Sequence, residues 1–316
     1  YQKSVHKFNS VMVCPFILIA LFLGGAAHAA STVDLSDAVI VHRDGDMPKA
    51  EQAAAVVLTG EIKTRTGIDL SVATSWPTKK TVIAITSEQS VAGWDREIPQ
   101  SAHADKADGY RLFVDNSAKQ AVVWVIGTDA RGTLYGVGAL LRKLQWSIGK
   151  AALNATLDID TAPEYPIRGH QLGFRTQANS WDAWTPEQFD QYIRELTFFG
   201  INSVENIPFH DSRPTPVMKV DRRVMNQKMS EICERYGLDY WVWTPADYDL
   251  TDPEERAKAL DQHEELYRDC KELTGVFFPG GDPGDNPAEL VIPFLEDISK
   301  RLLPIHPDAR VWLSLQ

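Results

Sequence analysis

The sequence predicts a mixed α/β protein: an N-terminal α+β domain followed by a (β/α)8 barrel, of which about the first five strands are present. Three observations predict this. Strand-like runs begin near Ile167, Asn202, Asp239, Gly275 and Ala309, about 35 residues apart, with helical patterns between them. Regular β-then-α units of that length make a parallel sheet. Three of the helices open alike, at Thr185-Pro186-Glu187-Gln188, Asp252-Pro253-Glu254-Glu255 and Asn286-Pro287-Ala288-Glu289. Each offers a capping side chain, a proline at the first helical position and an acid or amide at the third. Finally, no Gly-rich phosphate turn follows any strand, which favours closure as a barrel over an open doubly wound sheet.

In chain order, residues 1–29 read as a secretory signal. Lys3 and Lys7 precede the apolar run VMVCPFILIALFLGGAA, and Ala27-His28-Ala29 supplies a small-x-small cleavage site. Pro15 and two glycines interrupt the run, which is short for a membrane span. Cys14 precedes the apolar core, so a lipid-anchored form is not expected. The expectation is a secreted or periplasmic protein with no membrane attachment after cleavage. The chain opens at Tyr1 and stops at Gln316 inside the strand-like run ARVWLSLQ. It is therefore expected to be a fragment, inactive alone, with about three further barrel strands beyond Gln316.

Residues 30–160 form the expected N-terminal domain. Strand-like runs cover Val33–Val41, Thr81–Thr86, Tyr110–Val114, Ala121–Ile126 and Thr156–Ile159. Helices fit Lys49–Thr66, ended by Gly67, and Ala130–Leu144, with Leu134, Val137, Leu140, Leu141 and Leu144 on one side. The short turn Asp115-Asn116-Ser117 suggests antiparallel pairing. GTDARGTLYGVGALL holds several glycines but no G-x-G-x-x-G after a strand, so helix–sheet packing is the expected use. Residues 161–166 read as a proline-bearing linker, and 161–316 as the partial barrel. Its first helical face carries Phe189, Tyr192, Ile193, Leu196 and Phe199, and its second Met225, Met229, Ile232, Cys233 and Tyr236.

Composition narrows the function classes. A hydrophobic share of 44% and a charged share of 24% are globular values. A net charge of −11 gives a nucleic-acid partner no basic face. Beyond the leader only Cys233 and Cys270 remain, both in helical patterns and expected as free thiols. Neither C-x-x-C nor H-E-x-x-H occurs, so neither a metal nor another cofactor is expected. The oligomeric state leaves no mark in the sequence.

In such a barrel, chemistry gathers at the carboxyl ends of the strands. Arg175, Trp181, Asp182 and Trp184 follow the first strand, and Glu205, His210 and Asp211 belong to or follow the second. Trp243, Asp247, Tyr248 and Asp249 follow the third, and Asp282 and Asp285 the fourth. Carboxylates mixed with aromatics suit sugars: aromatic faces stack on pyranose C–H faces, and carboxylates bind hydroxyls or move protons. The bland readings stand beside this. Asp282 closes a turn, Asp285 caps a helix, Asp247 and Asp249 are loop-solvated, the two tryptophans are core, and His263 lies on a solvated face. Against the turn reading, two glycines precede Asp282 in VFFPGGDPGD, and close backbone approach to a ligand needs glycine where a turn does not.

PIRGHQLGFR, FGINSVENIPFHDS, YGLDYWVWTPADYD and FFPGGDPGD resemble the first four barrel units of family 20 glycoside hydrolases, the β-N-acetylhexosaminidases. The α+β domain before them is similar to the one preceding the barrel in families 20, 67 and 84. The resemblance implies that Arg168 holds substrate hydroxyls and that Asp282 positions and polarises a substrate acetamido group. The family's neighbouring general-acid glutamate is here Pro283, which cannot donate a proton. Asp285, or a residue beyond Gln316, would have to take that role. The same stretch is compatible with the Gly-x-Pro-Gly of α-glucuronidases. The expected function is an exported glycoside hydrolase acting on a complex glycan with amino-sugar or uronic-acid units. Asp282 and Asp285 are its catalytic candidates. Arg168, Arg175, Trp181, Asp182, Trp184, Glu205, His210 and Asp247 are its substrate-binding candidates. Pro283 keeps open a carbohydrate-binding protein on a degenerate hydrolase barrel. A cation held by Asp282, Asp285 and Glu289 is a third reading, and a helix cap explains that spacing better.

Overall fold

The strands sort into three sheets, and the last of these follows chain order. The computed structural model describes residues 31–87, 91, 92, 94, 96–172, 180–206, 217–279 and 285–314. The elements of the first part are β1 (Thr32–Asp34), β2 (Val39–His42), α1 (Lys49–Thr66), β3 (Ser71–Ala73), β4 (Val82–Thr86), β5 (Tyr110–Asp115), β6 (Val122–Gly127), α2 (Ala130–Lys143), β7 (Gln145–Ser147), β8 (Lys150–Asn154) and β9 (Asp158–Thr161). The second part follows as β10 (Gly169–Gln171), α3 (Pro186–Thr197), β11 (Ser203–Asn206), α4 (Arg222–Tyr236), β12 (Asp239–Trp243), α5 (Pro253–Asp269), β13 (Gly275–Phe278), α6 (Ala288–Leu302) and β14 (Arg310–Leu313).

The first part holds a six-stranded sheet, ordered β3-β2-β4-β6-β5-β9, and a three-stranded one, β1-β8-β7. β2, β3, β4 and β6 run parallel, and β5 runs antiparallel to β6 and β9. The run read as one strand over Val33–Val41 is two. Ser36 N donates to Asp34 Oδ1 at 2.8 Å and turns the chain, so β1 joins the small sheet and β2 the large one. β7 and β8 were not legible as strands; they form a hairpin about Gly149, whose φ of +72° suits glycine. The large sheet packs apolar side chains on both faces, α1 and α2 covering one and Trp76, Trp94 and Trp124 clustering on the other.

The second part is a five-stranded parallel sheet in chain order, β10-β11-β12-β13-β14, the arrangement of a partial barrel. Alternation assigns its faces. Val204, Tyr240, Val242, Val276 and Phe278 are fully buried on the helix side. Gln171, Glu205, Trp241 and Gly275 stand level with one another on the inner side, and Trp243, Phe277 and Trp312 form the next level up. The expected caps hold at two helices. Thr185 and Gln188 exchange a capping box at α3, and Asp252 accepts from Glu254 N and Glu255 N at α5. The third does not: α6 opens behind Pro287 with no side-chain cap. Asn286 instead donates to Ala246 O and Tyr248 O at 2.8 Å and accepts from Leu250 N, pinning the loop after β12 to the segment before α6.

The two parts join through charge at the amino ends of the barrel strands. Arg168 donates to Asp108 Oδ2 at 2.6 Å, Asn202 Nδ2 to the same oxygen at 3.3 Å, and Arg131 lies 3.5 Å from Asp108 Oδ1 and 3.3 Å from Asp239 Oδ1. Asp108 itself sits at a φ of +61°, a conformation that only a few non-glycine residues adopt. Gly138 lets Phe198 close on α2; a Cβ there would stand 2.5 Å from Phe198 Cα.

Candidate functional site

Because side chains alternate along a strand, the inner face of β10–β14 receives every second residue, and these are polar or aromatic rather than aliphatic. They line a cavity of about 400 Å³ among Gln171, Ser203, Glu205, Trp241, Phe277 and Trp312. Gly275 gives it its shape. A Cβ at that position would stand 2.6 Å from Trp241 Cε3, so the indole of β12 rests on the bare backbone of β13. That lets Trp241 reach Trp312, two strands away, with ring centroids 5.4 Å apart at 52°. The Trp241 Nε1–H is buried and, among the described residues, has no hydrogen-bond partner.

Glu205 is the ionisable group on the cavity floor. Burial raises its carboxyl to about 7, and a hydrogen bond with the Gln171 side chain works against that rise. His170 also borders the cavity; its Nε2 lies 2.6 Å from the Tyr192 hydroxyl, and burial lowers its pKa, which favours the neutral ring. Chemically the floor offers one carboxyl able to hold or release a proton near neutrality, an amide and a hydroxyl, walled by three aromatic rings.

Several residues predicted for the site are occupied elsewhere. Arg168 precedes β10 and so lies at the amino end, opposite the expected mouth. Its guanidinium donates to Asp108, to Gly200 O and to Tyr165 O, each at 2.6–2.7 Å, whereas the resemblance implies that it holds substrate hydroxyls. Asp182 is buried and accepts from Arg222 Nη1 at 2.9 Å and Nη2 at 3.3 Å, leaving its carboxylate committed to a buried ion pair. Trp181 and Trp184 pack edge-on at 4.7 Å and continue into Tyr192 and Phe189. They cover the start of α3 as an aromatic cluster against the core. His263, expected on a solvated face, is 1% exposed and sits between Tyr248 and Tyr267, whose hydroxyls lie 3.1 Å from its two ring nitrogens.

Other expected residues do reach the carboxyl ends. Asp247 is exposed on the loop after β12. Asp285 is exposed before α6 with a φ of +52°, and the Asn286 clamp brings its segment beside the Asp247 loop. Asp249 closes a local turn by accepting from Thr251 N at 2.8 Å. Asp282, Arg175 and His210 lie outside the described residues. Cys233 and Cys270 are buried free thiols. Among the described residues, no cluster of three or more His, Cys, Asp or Glu side chains is arranged to hold a metal ion.

The sequence reading named Glu205 as a candidate but not the residues that surround it. Gln171, Trp241, Phe277 and Trp312 each stand an even number of residues from another inward position on their strand or its register partner. That period-two signal was available once the strand bounds were known.

Comparison with known proteins bears on this arrangement. Residues 26–156 match the family model described as glycosyl hydrolase family 20, domain 2. That match covers the N-terminal part, and the chain is like the solved structures in fold alone. Its fold superposes on the GH20 β-N-acetylhexosaminidase from Streptomyces coelicolor A3(2) with a TM-score of 0.62 at 12% identity, covering 90% of this chain and 64% of that one. The GH20 exo-β-N-acetylglucosaminidase from Vibrio harveyi, solved in complex with N-acetylglucosamine, gives 0.61 at 12% identity, covering 89% and 52%. A family GH115 4-O-methyl-α-glucuronidase, BtGH115A, with specificity for decorated arabinogalactans, gives 0.60 at 15% identity, covering 89% and 45%. The chain thus spans between about half and two thirds of the length of these hydrolases. No curated protein matches it in sequence.

Proposed function

We propose that the protein is an exported glycoside hydrolase that cleaves glycosidic bonds in a complex glycan bearing amino-sugar or uronic-acid units. The observation that carries this reading is the inner cavity, where Glu205 and Gln171 face the rings of Trp241 and Trp312. The aromatic walls stack on a pyranose ring, while the carboxyl and the amide order its hydroxyl or nitrogen substituents. Bond cleavage needs a carboxyl general acid and an oxocarbenium-like transition state. Asp282, which follows β13 in the sequence, is taken as the key carboxylate. Pro283 removes the adjacent acid, so proton donation falls to Asp285 or to a residue outside this chain. The family 20 match and the hexosaminidase-like fold support the reaction class. The leader over residues 1–29 supports export, which sequencing the N terminus of the secreted protein would check.

Aryl N-acetylglucosaminides, glucuronides and hexosides, offered to the full-length protein beside Asp282→Asn, test the activity. A fall of at least about a hundredfold in the variant is expected. Turnover untouched by the substitution would reduce Asp282 to turn structure. Pro283 favours one second reading, a carbohydrate-binding protein without catalysis. Glycan binding with no turnover on aryl or polymeric substrates would select it.

A further inference from the structure

Two exposed acids, Asp247 after β12 and Asp285 before α6, are tied together by a single side chain. Asn286 Nδ2 donates to Ala246 O and to Tyr248 O, both at 2.8 Å, and Asn286 Oδ1 accepts from Leu250 N at 3.1 Å. Only this orientation of the amide fits, since two carbonyls need the NH2 group and one N–H needs the oxygen. The Asp247 loop has anchors of its own beneath it. Ala246 and Leu250 are buried, the Tyr248 ring meets Phe294 of α6 edge-on at 5.6 Å, and the Tyr248 hydroxyl lies 3.1 Å from His263 Nε2 on α5. Asp285 precedes Asn286 directly and holds a φ of +52°. A non-glycine residue enters that left-handed region at a cost, and such backbone persists where its surroundings hold it.

We infer that Asn286 is a positioning residue for glycosidic bond cleavage: its amide holds Asp285, as proton donor, at a fixed span from Asp247, which binds the substrate. This rests on the proposed function, in which those two acids have those roles. An asparagine that only closed a turn would bond within its own segment. This one bonds to residues 36, 38 and 40 positions earlier. Its two donated bonds fall on the residues either side of Asp247, and its own main chain continues from Asp285. One planar group thus fixes the backbone at both acids. A general acid works only within hydrogen-bond reach of the oxygen it protonates, and a misplacement of about 1 Å costs about a hundredfold in rate. Because the Asp247 loop keeps its anchors on His263 and Phe294, loss of the Asn286 amide falls on Asp285.

Kinetics of the full-length protein beside Asn286→Ala and Asn286→Asp test this, on the aryl glycosides that the parent cleaves and with rates referred to the folded fraction in a thermal melt. Asn286→Asp keeps the acceptor for Leu250 N and removes the donors to Ala246 and Tyr248. On phenyl glycosides both variants are expected to lose at least about tenfold in kcat, with KM within about threefold, because the acid acts in the transition state. On dinitrophenyl glycosides, whose leaving group needs little protonation, the loss should shrink to about twofold or less. A merely structural role would not separate the two leaving groups. Exchange of the Leu250 amide hydrogen should quicken in Asn286→Ala and stay slow in Asn286→Asp, a check of the clamp that needs no turnover. An equal loss on both leaving groups, no loss on either, or unchanged Leu250 exchange in Asn286→Ala overturns the inference and leaves the proposed function standing. A parent that cleaves no glycoside, aryl or polymeric, overturns both.

Discussion

At the amino ends of the barrel strands, charges meet charges: Asp108, Arg131, Arg168 and Asp239 form one connected set. On the inner face of the same strands, Glu205 stands beside an amide and aromatic rings. The two regions use the same side-chain chemistry for opposite ends. Saturated groups hold the N-terminal part against the barrel strands and have no valence left for a ligand. Glu205, half-buried beside the Gln171 amide, instead lines an open cavity.

The strongest test of the saturated class is Asp182→Ala. It strands Arg222 in a buried position and should cost about 3–5 kcal/mol in a urea melt. Replacing both partners by apolar residues should recover most of that loss, as expected where the pair itself contributes little. Arg168→Ala should come next, losing about 1.5–3 kcal/mol through its bond to Asp108, with KM unchanged. A raised KM at full stability would instead return Arg168 to the substrate. Gly275→Ala forces the Trp241 ring off β13 and should cost about 1–3 kcal/mol, with a shift in tryptophan emission.

The smallest effect at acidic pH, and the most diagnostic, belongs to Glu205→Gln. The folded protein raises this carboxyl from 4.5 to about 7, so it holds the proton more tightly than the unfolded chain does. Its contribution is full below about 4.5 and is lost as the pH climbs through about 7. The glutamine variant should lack that decline, gaining on the parent between thermal melts at pH 5 and pH 8. Parallel melting curves for the two proteins would overturn the raised carboxyl at Glu205.

Local signals were legible in the sequence, and long-range pairings were not. The capping box of Thr185 and Gln188 spans three residues, and α1 was readable from an alanine-rich run closed by Gly67. The five barrel strands announce themselves by spacing, and Glu205 as an inward group follows from its place on β11. The contacts of Arg168 were not legible, because the role the resemblance implies for it says nothing of its long-range partner. Its partner stands 60 residues earlier at a left-handed aspartate that no local pattern marks. Asp182 finds Arg222 at a separation of 40, and His263 is buried between two tyrosines, one of them from a loop. The cavity needed one more step: Gly275 reads as a strand-breaking residue in one dimension and becomes a seat for an indole only when β12 and β14 flank it.

The Asp108 contacts have a consequence for the order in which the chain folds. Asn202 opens the second barrel strand, yet it bonds to an aspartate 94 positions earlier, and Arg168 at the first strand bonds to the same carboxylate. A chain made from its N terminus exposes residue 108 well before residue 202 exists, and domains commonly fold as they emerge. The early sheet is then a template waiting on the nascent chain. A sheet folded early would then give the first two barrel strands a carboxylate to dock against before any later strand exists.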